Sequence, residues 1–225
     1  MDFSEQAKAW DDKPGRRERA AAIAASIRAV LPLERVMSAI ELGGGTGLLS
    51  RALADRLGPV SVTDVAPGMV EVARALLADA RMPGWSAWSY DVERDPLPSA
   101  RFDLVLSQLA WHHLIDPAAA LRTAWELLTP GGYLALVDLD LDPEGYFHAE
   151  SHPEFQGPHG FDRDQIRAWL TEAGFVDVRL DLAFLERKIV AGVVRDLPLF
   201  LATGRRPGDR QCAALAEGLR RSPYP

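Results

Sequence analysis

The chain reads as an α/β protein built on a mostly parallel sheet with helices on both faces. Three observations predict this. A short apolar strand (Met37 to Leu42) runs into Gly43, Gly44, Gly45, Thr46 and Gly47, and a helix follows from near Leu48. Further apolar runs at Val60–Asp64, Trp85–Tyr90 and Phe102–Ser107 are short and bounded, as strands should be. Segments with helical spacing of apolar residues alternate with them, which is the pattern of parallel strands joined by crossover helices.

Each element follows from its local chemistry. Arg16 to Leu31 is Ala-rich, with Ile23, Ile27, Val30 and Leu31 at helical spacing, so it reads as a helix packed on one face. Pro67 opens the next helix, to about Ala80, at a position that tolerates its missing N–H. Pro117 to Thr129 is a third, stopped by Pro130-Gly131-Gly132 before a strand at Tyr133–Val137. Leu141 to Gly160 lacks regular periodicity and reads as a long loop, a length that usually signals function or disorder. Phe161-Asp162 caps a helix to Ala173, with Gly174 as its stop. Strands near Val176–Leu185 and Leu197–Thr203 close the order.

The glycine loop carries the chemistry. Glycine lets the backbone turn sharply and leaves main chain bare for a ligand, and the helix start aims free N–H groups into the same space. Such a unit is a nucleotide-type site at the carboxyl edge of a sheet. A phosphate-binding P-loop needs Gly-Lys-Ser/Thr, but Gly47 is followed by Leu48 and Leu49. A dinucleotide fingerprint needs G-x-G-x-x-G, and Leu48 stands where its last glycine belongs. Glu41 before the loop suits a ligand bearing an ammonium or sulfonium better than a pyrophosphate. Asp64 lies 21 positions after Gly43, where a carboxylate takes up ribose hydroxyls. Asp91-Val92 ends the third strand with an acid and an apolar residue, a pair suited to an adenine amine and ring face.

With these pieces in place the chain resembles the class I S-adenosylmethionine-dependent methyltransferases, in particular the small-molecule branch with the ubiquinone/menaquinone-type enzymes. The matching stretches are ELGGGTG (Glu41 to Gly47), VTDVAPGMVEVAR (Val62 to Arg74), Asp91-Val92, FDLVLSQLAWHHL (Phe102 to Leu114) and LLTPGGYLALVD (Leu127 to Asp138). The resemblance, covering roughly Ala20 to Thr203, implies a Rossmann-like seven-stranded sheet with an antiparallel terminal strand. It places Glu41, Gly43 and Gly45 against the methionine moiety, Asp64 on the ribose and Asp91 with Val92 on the adenine. Val65, Met69 and Ser107 join the cofactor set, and Trp10 is a candidate lid residue, equally readable as the anchor of a loose end. Gly44 stands where many members have Cys, a departure expected to leave binding intact.

Composition agrees with one domain: 225 residues and 48% hydrophobic content can bury a full core. A net charge of −7 argues against nucleic acid as substrate, and no apolar run is long enough to span a membrane. The single Cys212 excludes a disulfide framework and suits a reducing cytoplasm, and the amino terminus carries no signal-peptide pattern. Residues 1–34 read as a helical cap or lid, 35–204 as the cofactor-binding domain, and 205–225 as a polar tail with a short helix at Gln211–Arg220. The expected assembly is a monomer or homodimer acting on a small-molecule acceptor. Two other classes stay open: a nicotinamide-dependent oxidoreductase, which the failed fingerprint speaks against, and a non-catalytic S-adenosylmethionine-binding partner.

All five histidines (His112, His113, His148, His152 and His159) fall within one 48-residue segment, at the edge expected to face the methyl group. The plain reading is polar loop residues. An imidazole can also act as acid or base toward a hydroxyl, amine or thiol, with His113, His112, His148 and His159 as candidates. A third reading is a divalent metal such as zinc on His148, His152 and His159, or on two imidazoles with Asp138 or Asp140. Trp111, Tyr146, Phe147 and Phe155 would suit an aromatic or lipophilic acceptor.

Overall fold

The computed structural model describes residues 3–149 and 154–208. A two-turn 3-10 segment, Ser4–Ala9, precedes helix α1 (Arg16–Val30). Then come β1 (Ala39–Glu41), α2 (Leu48–Ala52), β2 (Val60–Asp64), α3 (Pro67–Asp79), β3 (Ser86–Ser89) and β4 (Phe102–Gln108). After a short 3-10 turn at Trp111–His113 follow α4 (Pro117–Leu127), β5 (Leu128–Leu139), α5 (Arg163–Glu172), β6 (Val176–Val190) and β7 (Val193–Arg205).

The seven strands form one sheet in the order β3-β2-β1-β4-β5-β7-β6. Strands β1 to β5 pair in parallel, while β7 runs antiparallel to both β5 and β6. The order reverses between β1 and β4, and a crevice opens there at the carboxyl ends of the strands. Alternation along β4 divides the core. Leu104 and Leu106 join Ile23, Ile27, Leu49, Val70 and Leu77 on one face; Val105 joins Leu121, Leu127, Ile166 and Leu170 on the other. The helices therefore cover both faces, as the sequence predicts.

Capping follows the residues read for it. The Asp116 carboxylate accepts from the Ala119 amide at 2.8 Å, with Pro117 in the first turn. Asp162 accepts from Asp164 and Gln165 amides at 2.8 and 3.1 Å, and Gly174 (φ 94°) ends α5.

Two expectations need correction. The terminal strands are longer than Val176–Leu185 and Leu197–Thr203: they form a hairpin closed by Ala191 and Gly192, both at positive φ (50° and 78°). That is the two-residue turn a twisted hairpin demands, and pairing runs out to Val190↔Val193. The tail begins later than residue 205, because Arg205 still belongs to β7, and Arg206 lies over the Trp125 ring and donates to the Leu128 carbonyl at 2.7 Å. Cys212 and the expected Gln211–Arg220 helix lie outside the described residues.

The long loop is ordered by its own contacts where it is described. The Asp142 amide donates to the His159 carbonyl at 2.7 Å, and the Asp142 carboxylate accepts from the Phe147 amide at 2.8 Å. These bonds fold the loop back over the carboxyl ends of β4 and β5.

Candidate active site

The cavity at the switch point, about 490 Å³, lies in the size range of small-molecule sites. Its floor is the glycine loop. Gly43 has φ 61°, and a Cβ there would stand 2.5 Å from the Cβ of Ala110, so any side chain would collide with the opposite wall. Hydrogen bonds lock the loop to the sheet: the Gly44 amide donates to the Thr63 carbonyl at 2.8 Å, and the Thr63 hydroxyl donates to the Glu41 carbonyl at 2.7 Å.

The three strand-end acids stand around this floor. Glu41 is buried and accepts from the Ser50 amide at 3.2 Å. Burial pushes its carboxyl up to about 7, against the opposing pull of Ser50 hydrogen bonding and Arg51. Asp64 accepts from the Gly45 amide and the Ala66 amide, both at 2.8 Å, so it holds the glycine loop and the start of α3 together. Asp91 accepts from the Glu93 amide at 2.9 Å, in a tight turn that presents Val92 to the cavity. Val65 and Met69 also line it. A Cβ on Gly44 would meet the Glu41 Cγ and Cδ at 2.9 Å; the glutamate carboxyl thus fills the space a cysteine would need.

The amino-terminal segment closes the cavity. Trp10 lies in the wall; its Nε1 would be 3.7 Å from a Cβ on Gly45. Phe3 packs edge-on against it with ring centres 5.4 Å apart. Asp11 ties the segment down, accepting from the Thr46 hydroxyl and pairing with Arg51. Ser107 is corrected: its buried hydroxyl donates to the Leu42 carbonyl at 2.8 Å and does not line the cavity, so it holds β4 to the glycine loop.

The histidines do not form one row along the wall. His113 alone of the four in the described residues lines the cavity, edge-on to Phe3 with ring centres 5.5 Å apart. Burial, reinforced by the neighbouring His112 and His148 and opposed by Asp138, pushes its imidazole down to about 3, so it is neutral at physiological pH. His112 sits behind it, 1% exposed, with Nδ1 2.6 Å from Asp138 Oδ1. The other Asp138 oxygen accepts from the Trp111 and His112 amides at 2.9 and 3.3 Å. His148 is buried and stacks on Phe155, ring centres 4.2 Å apart.

Ring nitrogens of His112, His113 and His148 all lie within 4.8 Å of one another. The structure therefore gathers a different trio from the expected His148, His152 and His159. His159 packs on Gly145, with its Cε1 2.9 Å from where a Cβ there would stand, and its ring centre is 5.6 Å from that of His148. His152 lies outside the described residues. Asp140 is engaged elsewhere, in a two-pronged pair with Arg163 at 2.6 Å on each arm. Of the expected acceptor-facing aromatics only Trp111 lines the cavity; Phe147 and Phe155 pack on the imidazoles and Tyr146 lies under Arg195.

Four further residues of the wall carry no motif of their own in the sequence. Tyr90 and Gln108 each bring into the wall a buried oxygen without a hydrogen-bond partner among the described residues. The signal for Gln108 is its place at the end of an apolar strand, just before Leu109 at φ 55°, a backbone conformation costly for leucine. Arg16 and Arg19 also reach the cavity, and the Arg16 guanidinium stacks 3.3 Å over Trp10. Cations in the first turn oppose the helix dipole, which is the clue the run Arg16-Arg17-Glu18-Arg19 offered.

A family profile described as a methyltransferase domain matches residues 40–136. The biotin biosynthesis bifunctional protein BioCD of Bordetella avium is 39% identical over 127 residues, 55% of this chain and 26% of that protein. A ubiquinone biosynthesis O-methyltransferase of Methylobacterium nodulans is 32% identical over 152 residues, 65% of this chain and 60% of its own length. The chain thus spans between a quarter and three fifths of these curated relatives. A SAM-dependent methyltransferase from Aquifex aeolicus superposes with a TM-score of 0.64 at 18% identity, covering 90% of this chain and 98% of that one. The matched domain and relatives support a class I S-adenosylmethionine-dependent methyltransferase, and the solved neighbour shares its fold.

The residues present fit that family's cofactor. A bare-backbone floor at Gly43 and Gly45, carboxylates at successive strand ends and unpartnered wall oxygens at Tyr90 and Gln108 form a cradle for a cationic nucleoside.

Proposed function

We propose that the protein transfers the methyl group of S-adenosylmethionine to an oxygen, nitrogen or sulfur atom of a small-molecule acceptor. The observation that carries this is continuity: one cavity joins Glu41, Asp64 and Asp91 to His113, so cofactor and acceptor would share a space closed by Phe3 and Trp10.

In this reading Glu41 faces the cofactor's ammonium, Asp64 its ribose and Asp91 with Val92 its adenine. Arg16, beside Trp10, supplies a cation for the methionine carboxylate. Bound S-adenosylmethionine supplies a sulfonium, already a good leaving group, so the protein contributes mainly alignment and exclusion of water. His113 stays neutral and accepts a hydrogen bond from the incoming nucleophile, orienting its lone pair. With so low a basicity it serves acceptors that lose their proton easily or carry none, such as thiols and neutral amines, better than alcohols.

Two measurements test the reading. Calorimetry should show S-adenosylhomocysteine binding and no NAD binding. Asp64→Ala should weaken S-adenosylhomocysteine by about 1.5–3 kcal/mol, the range for hydrogen bonds to a charged group. A screen of phenols, amines and thiols with labelled S-adenosylmethionine should then find an acceptor, and His113→Ala should lower its turnover about 100-fold while leaving cofactor affinity in place. Tight cofactor binding without turnover on any panel would favour a non-catalytic role.

A further inference from the structure

The trio behind the cavity wall is unusual in its composition. His112 and His113 are consecutive in the 3-10 turn after β4, and His148 comes from the loop after β5. Their ring nitrogens lie within 4.8 Å of one another. Among the described residues this is the one such grouping of three or more histidine, cysteine or carboxylate ligands.

We propose that His112, His113 and His148 form a binding site for a divalent transition ion of the zinc class. Nitrogens about 2.0–2.1 Å from a tetrahedral ion stand roughly 3.4 Å apart, so the observed spacing closes onto an ion by small side-chain rotations. The surroundings match what such a site requires. Asp138 is wholly buried and takes the Nδ1 side of His112 at 2.6 Å, which leaves Nε2 with the lone pair for the metal. A carboxylate behind a ligating imidazole fixes its tautomer and raises its donor strength. Phe155 stacks on His148, Phe147 meets His112 edge-on and Phe3 meets His113 edge-on. That apolar shell disfavours protonated imidazoles and keeps competing water away. Three imidazoles leave a fourth position for water or an exogenous ligand. Because His113 lies in the cavity wall, the ion would stand beside the acceptor end of the cavity, and while bound it takes the His113 lone pair that in the metal-free protein accepts from the nucleophile. It would also tie His148, from the segment after β5, to the end of β4.

The proposal needs no turnover, so its test is separate from that of methyl transfer. Untagged protein, stripped of metal by chelation and dialysis, is titrated with Zn²⁺ alone by calorimetry and with Co²⁺ followed by visible absorption. One equivalent should bind with micromolar affinity or tighter, Co²⁺ should give the intense bands of a tetrahedral site, and melting temperature should rise with occupancy. His148→Ala and His112→Ala should each weaken Zn²⁺ roughly 100-fold, while His159→Ala leaves it unchanged. S-adenosylhomocysteine binding reports that each variant is folded. Should the buried His112→Ala not fold, His148→Gln serves in its place. Absence of stoichiometric Zn²⁺ binding, or binding that survives loss of His148 or requires His159, would overturn the assignment.

Discussion

The two ends of the cavity are built by different means. At the cofactor end each acid sits at or just past the end of its own strand, and two of the three cap a backbone amide two residues on. Asp64 takes the Ala66 amide two residues on, and Asp91 takes the Glu93 amide in the same way. At the histidine end the decisive contacts span long stretches of chain: His112 meets Asp138 across 26 positions, and His148 arrives from a loop beyond β5. The first end is a repeated local motif set by backbone geometry. The second is a tertiary construction that exists only when β4, β5 and the loop are docked. Disturbing one group should therefore remain local at the first end and spread at the second.

Asp138 gives the largest expected effect. Its carboxylate takes His112 Nδ1 and the amides of Trp111, His112 and Leu139, and it is wholly buried. Asp138→Ala leaves these donors buried without an acceptor, and breaking a buried pair on one side costs about 3–5 kcal/mol. Urea unfolding should show a loss of this size, with Asp138→Asn recovering part of it. A loss under 1 kcal/mol would mean the histidine end is no more integrated than a surface loop.

The same contrast explains what the sequence made legible. The sheet, both helical faces and the gathering of Glu41, Gly43, Asp64 and Asp91 around one cavity could be read because these residues announce themselves through short spacing and strand periodicity. The histidine end could be read only as a concentration of imidazoles. Which of them meet depends on the Asp142 turn and on Phe155, and neither leaves a periodic trace. Ser107 misled for a related reason. Its strand-end place matches a ligand contact, but in a parallel strand buried on both faces its hydroxyl needed a partner, and the Leu42 carbonyl was nearest. The hairpin extension was masked by the charged residues Arg187, Lys188, Arg195 and Asp196, although Val190-Ala191-Gly192-Val193 carried its turn.

A pH titration probes the local end. In the ligand-free protein burial holds the Glu41 proton to about 7, above its ordinary value of 4.5. Its contribution to folding stability is therefore complete below about 4.5 and is lost as pH rises through about 7. Cofactor affinity should run the opposite way, because an ammonium beside Glu41 favours the carboxylate. If the bound state keeps Glu41 ionised, S-adenosylhomocysteine affinity should rise about tenfold between pH 6 and pH 8 and level off above, with proton release on binding below pH 7. Calorimetry in buffers of differing ionisation enthalpy measures both. Glu41→Gln should flatten the profile; a wild-type profile already flat across that range would remove the ammonium from beside Glu41.

The smallest effect is expected on exposed apolar side chains outside the cavity. At the tip of the β6–β7 hairpin Ile189, Val193 and Val194 are 63%, 49% and 63% exposed, and neither Ile189 nor Val193 lines the cavity at the switch point. The hairpin's order comes from its turn and from backbone pairing out to Val190↔Val193, not from burying these side chains. Replacing Ile189 and Val193 together by threonine keeps the β-branched shape that suits a strand and removes only exposed apolar surface. Stability should change by no more than about 0.5 kcal/mol, the usual span for surface positions, and S-adenosylhomocysteine affinity should not change. If the double variant instead loses stability in a way that depends on protein concentration, these side chains are covered by another chain in solution. The hairpin would then be an intermolecular construction, resembling the histidine end more than the glycine loop in its dependence on distant partners. Sedimentation at two concentrations, wild type against variant, separates the two outcomes.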